Sequence, residues 1–182
     1  MILVNALGVI DSGGIVVLDK FLCECLEYPL GRRYLIIAND NFNIRQLLGK
    51  YKEKSLFDLL IIKNKGFMYR LFYENLIFRK LVKEHCIDLI YNFSGTTQFF
   101  TKTPQLIKIQ NLLFYSKKLD GSYQEKKLFL RWLKDIFVKR MIFIQMLSFA
   151  THFEIQSSHV KRCLSDFINT RNKFFYLLLN YQ

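Results

Sequence analysis

Short apolar runs, each closed by polar or glycine residues and followed by apolar residues at helical spacing, recur along the chain. This alternation constrains the fold most, because runs without polar alternation belong to strands covered on both faces. Ile2-Leu3-Val4 opens the pattern and ends at Asn5, Ala6 and Gly8. Asp11-Ser12-Gly13-Gly14 follows, and then Leu18, Phe21, Leu22, Cys25 and Leu26 recur along one helix face. Strand, glycine turn and helix in that order begin a βαβ unit.

The same reading predicts strands at Tyr34 to Ala38, Leu56 to Ile62, Ile87 to Phe93, Gln105 to Gln110 and His152 to Gln156. Helices are expected at Ile44 to Leu48, from about Phe67 to His85, from Tyr123 to about Phe149, and from His159 to Phe167. Ser157-Ser158 is placed to cap the last of these. The expectation is a Rossmann-like α/β fold with five or six strands, a mainly parallel sheet and helices on both faces. One domain spans 1–168, and 169–182 reads as a tail or truncated linker, because the pattern dissolves beyond Asn169.

Of the 182 residues, 51% are hydrophobic, with 18 Phe and 10 Tyr, which excludes a disordered chain. The net charge of +12 calls for a solvated basic surface, a nucleic acid, an anionic lipid surface or nucleotide phosphate. Nine Lys/Arg face four acids in residues 50–84, and eight face three in 117–140. Cys23, Cys25, Cys86 and Cys163 form no Cys-x-x-Cys pair, and no secretory signal is evident, so free thiols in a reducing cytoplasm are expected. No apolar run reaches membrane-spanning length.

Gly13 and Gly14 stand where a doubly wound fold receives phosphate, at the mouth of the first helix. A tight turn explains the pair equally well. Gly-x-Gly-x-x-Gly, the P-loop pattern and Asp-x-Asp are all absent, and no metal site is expected at His85-Cys86, which has no partners at ligand spacing. Ser94, Gly95 and Thr96 after the fourth strand, and Gln110 and Asn111 after the fifth, suit recognition of sugar hydroxyls. Turn chemistry uses the same residue types. Lys127, Arg131 and Lys134 make one basic face beside Leu128, Trp132 and Leu133, which fits an anionic bilayer or a solvated helix back.

Three further stretches complete a resemblance: Asp88-Leu89-Ile90-Tyr91-Asn92-Phe93-Ser94-Gly95, Pro104-Gln105-Leu106-Ile107-Lys108-Ile109-Gln110-Asn111, and Ala150-Thr151-His152-Phe153-Glu154-Ile155-Gln156-Ser157. With the opening strand and Ser12-Gly13-Gly14, their order resembles the N-terminal domain of GT-B-type glycosyltransferases of family 4, bacterial enzymes of envelope polysaccharide assembly. The resemblance runs along residues 1 to about 167. It implies an acceptor-side domain whose glycine turn, Gly13-Gly14, approaches the donor phosphates, with Ser94, Gly95, Thr96, Gln110 and Asn111 toward the acceptor. It implies a nucleotide sugar as substrate, no cofactor or metal, and a glycan or lipid-linked glycan as acceptor. The chain is expected in the cytoplasm, and peripherally on the inner face of the cytoplasmic membrane where the basic face of Lys127, Arg131 and Lys134 meets lipid rather than solvent. The donor-binding domain with its paired glutamates is not found in the chain, so the expectation is a truncated product, a split-gene half or a domain that works with a separate donor-binding polypeptide, and the chain alone is expected to be inactive. No catalytic residue is assigned. Glu154 departs from the apolar residue usual at its position. A basic α/β module binding nucleic acid or another polyanion is the alternative, less favoured because no aromatic platform or helix-turn-helix accompanies the charge.

Overall fold

The computed structural model describes residues 1–10, 12–63, 65–93, 95–99, 101–109 and 129–177, with the backbone alone at 131, 134 and 135. The strands are β1 (Ile2–Ala6), β2 (Tyr34–Asn39), β3 (Phe57–Ile62), β4 (Leu89–Asn92), β5 (Gln105–Ile109), β6 (His152–Ile155) and β7 (Phe174–Leu177). All six pairings are parallel, in the order β3-β2-β1-β4-β5-β6-β7. The chain is thus α/β and Rossmann-like, with the direction of strand addition reversing between β1 and β4.

Helices α1 (Ser12–Glu27) and α2 (Phe42–Gly49) cover one face. Leu18, Leu22 and Cys25 of α1 and Ile44, Leu47 and Leu48 of α2 pack there on Ile2, Val4, Ala6, Ile36 and Ala38. The opposite face carries α3 (Phe67–Glu84), whose Phe78 lies on Leu3, Leu35, Ile37 and Ile90. Further along that face, α4 (Phe129–Trp132) passes through a π turn at Leu133–Phe137 into α5 (Val138–Ser148), and α6 (Ser158–Ser165) follows β6. Leu147, Val160 and Leu164 meet Ile107, Phe153 and Ile155. Two helices on one side and the rest on the other is what right-handed crossovers require once strand order reverses.

The structure departs from expectation in three places. The apolar segment at 174–177, expected to be a tail, is β7 and raises the strand count among the described residues to seven. It is held partly by aromatic stacking, Phe174 on His152 at 5.1 Å and Phe175 on Phe153 at 5.1 Å. The expected long helix is interrupted by the π turn, a one-residue insertion that needs neither Pro nor Gly. Its predicted beginning, 123–128, lies outside the described residues. Finally, Ser157 occupies the N-cap position of α6 without a side-chain capping bond.

Candidate functional site

In an open parallel sheet the ligand crevice lies beyond the carboxyl ends of the strands, at the reversal point. Here that point lies between Asn5-Ala6 of β1 and Asn92 at the end of β4, with Phe93 just beyond it. The chain leaves β1 through Leu7, Gly8, Val9 and Ile10 and enters α1 at Ser12. Gly13 and Gly14 are therefore not a turn before the helix but part of its first turn. Amide N–H groups in a first helical turn point away from the helix body, and glycine removes the side chain that would hold a ligand off them.

The opposite wall is the loop after β4. Gly95 adopts φ +73°, a left-handed conformation that favours glycine. The next three residues are buried and bonded. Thr96 donates from its hydroxyl to Glu74 Oε1 at 3.0 Å and accepts from Arg70 Nη2 at 2.5 Å. The Thr97 hydroxyl donates to the carbonyl of Met146 at 2.5 Å. Gln98 donates from Nε2 to Asn92 Oδ1 at 3.0 Å, and its backbone N–H reaches Gln105 Oε1 at 2.8 Å. Thr96 thus anchors this loop in the interior.

Beneath the loop runs a buried polar chain that sequence reasoning missed. Asn5 Nδ2 donates to Glu74 Oε1 at 2.7 Å and to Asn92 Oδ1 at 3.1 Å, and Asn92 Nδ2 donates to Gln105 Oε1 at 3.2 Å. Arg70 Nε completes an ion pair with Glu74 at 2.9 Å, one helical turn away on α3. Glu74, Asn5 and Asn92 are fully buried. Among the described residues, Glu74 Oε2 and Gln98 Oε1 have no hydrogen-bond partner. Buried polar groups at such cost are warranted where they fix a conformation, and this chain ties β1, α3, β4 and the Gly95 loop into one unit. The available signal was a pair of asparagines, Asn5 and Asn92, interrupting two apolar runs in register.

Ser94, Gln110, Asn111 and Lys127 lie outside the described residues, as do the side chains of Arg131 and Lys134. Of the predicted residues, the structure places Gly13, Gly14 and Gly95 at the reversal point and directs Thr96 inward.

Around the same end of the sheet stand exposed apolar side chains: Ile10 in the loop after β1, Val16 early in α1, Phe42 opening α2 and Met68 in the first turn of α3. Phe42 is 79% exposed and Met68 72%.

A cleft of about 790 Å³ opens on the α1 face, from β2 and β1 across β4 to β7, lined by Phe21, Tyr34, Leu106, Lys108, Glu154 and Leu177. Glu154 is paired across the sheet with Lys108, its register partner, and accepts from the Tyr91 hydroxyl. Burial, reinforced by the Glu154 charge, pushes the Tyr91 phenol well above its ordinary range. The acid at position 154 is therefore the partner of a buried lysine rather than an anomaly.

Among the described residues no group of three or more His, Cys, Asp or Glu side chains could hold a metal ion. No helix among them is long and apolar enough to cross a membrane. No protein-family model matches the chain, and no curated protein matches it significantly.

Proposed function

We propose that this chain is the acceptor-side, N-terminal half of a GT-B-type glycosyltransferase resembling family 4. With a donor-binding partner it would move a sugar from a nucleotide-sugar donor to a membrane-linked glycan at the inner face of the cytoplasmic membrane. The observation that carries the reading is the apolar rim of Ile10, Val16, Phe42 and Met68 around the reversal point. Large apolar side chains gathered at the ligand-binding end of a sheet mark a surface that another body covers. Beside that rim, Gly13 and Gly14 open the helix that would approach the donor phosphates across such an interface, and Gly95 shapes the facing loop. No nucleophile, base or metal need come from this half, because positioning acceptor and donor together is itself a large part of catalysis.

The reading is tested by titrating isotope-labelled protein with lipid-linked glycan extract and following amide resonances. Shifts confined to Gly13, Gly14, Gly95 and their neighbours are expected, with no sugar transfer when nucleotide sugars are added to this chain alone. Turnover by the chain alone, or the same resonances responding to DNA or RNA and not to glycan, would refute it.

A further inference from the structure

We infer that the cleft on the α1 face binds an uncharged small molecule with an aromatic body and a hydroxyl head. This goes beyond the proposed function, and none of Gly13, Gly14 and Gly95 lines the cleft.

Strand alternation builds the cleft. Ile107, Phe153 and Ile155 turn toward α5 and α6, so Leu106, Lys108 and Glu154, at the alternate positions of β5 and β6, turn to the α1 face. Phe21 of α1 forms the facing wall, edge-on to Tyr34 at 6.2 Å and to Tyr91 at 5.2 Å. The enclosed space of about 790 Å³ is of the size that takes a small organic molecule.

Polar groups gather at one place between these apolar walls. Glu154 accepts from Lys108 Nζ with one carboxylate oxygen and from the Tyr91 hydroxyl with the other. Lys108 Nζ also reaches the Tyr91 oxygen at 3.5 Å and lies 5.2 Å from the centre of the Phe93 ring. The lysine is thus committed to its neighbours. Among the described residues each Glu154 oxygen accepts one bond, and a carboxylate oxygen can accept two. The floor therefore offers an acceptor to a ligand O–H. Gln156, exposed two residues further on, adds an amide that both donates and accepts.

Charge narrows the ligand further. The chain carries +12, yet the charged groups lining the cleft balance: Lys108 with Glu154 on the floor, and Lys20 with Glu24 at 3.8 Å on the rim. An anion would meet the two glutamates and a cation the two lysines. A charged head would give up its hydration with no net opposite charge to replace it. A hydroxyl keeps its hydrogen bond through Glu154 and costs far less to bury. The rings of Phe21 and Tyr34 favour an aromatic body, through edge-on and offset contacts.

The test is titration of isotope-labelled protein with naphthol, naphthoate, naphthylmethylammonium and naphthalene, which share one ring system and differ in the head. Lys108→Leu/Glu154→Leu removes the polar floor without leaving a lone buried charge. Lys20→Glu, at an exposed position, tips the rim to negative. Circular dichroism confirms that each variant is folded. In wild type, amide shifts are expected at Tyr91, Lys108 and Glu154, with naphthol bound at least about tenfold more tightly than the other three. The double variant is expected to bind naphthol and naphthalene equally, and Lys20→Glu to move naphthylmethylammonium ahead of naphthoate. Absence of these shifts with all four probes, equal or tighter binding of a charged probe by wild type, or a naphthol preference kept by the double variant overturns the inference. Shifts at Gly13, Gly14 and Gly95 in place of the cleft also overturn it, and leave the proposed function standing.

Discussion

Tyr34 shows how a single side chain is changed by where the fold puts it. It stands at the start of β2, packed edge-on to Phe21 at 6.2 Å and tilted against Phe57 at 5.9 Å. Burial, and then its hydrogen bond with Cys25, push the phenol from the ordinary 10 up to about 12. Burial and bonding to Asp19 push Tyr51 up too, and Tyr91 rises beside Glu154. A phenol whose pKa is raised on folding contributes stability that is complete below its unfolded pKa and is lost as pH climbs through the folded one. An alkaline titration followed by phenolate absorbance and circular dichroism is therefore expected to show two phases. The first leaves the ellipticity unchanged. The buried set ionises later, together with loss of ellipticity. A single non-cooperative phase would count against this picture.

At the scale of elements, the pairing of β5 with β6 rests partly on Lys108 and Glu154, whose side chains are only 8% and 14% exposed. Removing one member of a buried pair leaves an uncompensated charge and costs about 3 kcal/mol or more, whereas replacing both with apolar residues is close to neutral. Glu154→Leu is thus expected to lower the urea midpoint strongly and Lys108→Leu/Glu154→Leu to restore most of it. A double variant as unstable as the single one would contradict the argument.

The same pair marks the boundary of what the sequence discloses. Strands β1 to β6 are legible because each has an apolar core, broken only by Asp58 in β3, Lys108 in β5 and Glu154 in β6, with polar or glycine residues signalling its end. Register is not legible, so Glu154 reads as an oddity until β5 and β6 are aligned and Lys108 appears opposite. β7 escapes because Phe174 and Tyr176 stay largely exposed at the sheet edge, in a segment whose attachment depends on stacking against β6 rather than on its own pattern. At the candidate site, Gly13, Gly14 and Gly95 are visible as punctuation. Glu74 and Arg70 are hidden within an apparently ordinary helical charge pair, since nothing local tells that the pair points inward.

The whole molecule combines an apolar rim with a net charge of +12. Self-repulsion keeps such surfaces apart at low ionic strength, and salt removes that protection over a screening length that falls to about 3 Å at 1 M. Sedimentation at rising salt is expected to show reversible association that Phe42→Ser/Met68→Ser reduces. Association unaffected by both salt and these changes would place the contact elsewhere.

Strand order also dictates an order of events during synthesis. β1, which leaves the ribosome before the other described strands of this sheet, ends in the middle of the sheet, with β2 on one side and β4 on the other. β2 follows at once, but β4 begins roughly fifty residues after β2 ends, which is several seconds of elongation at about 5–20 residues per second. Throughout that interval one side of β1, with Leu3, Val4 and Asn5, is an open template for any passing extended chain. Asn5 waits as well for Glu74 and Asn92, so the nascent half-sheet carries an unsatisfied polar group at its future centre. The arrival of α3 and β4 closes the template and pairs the asparagine in one step, making the reversal point the last part of the central sheet to become native and the part most in need of shielding until then.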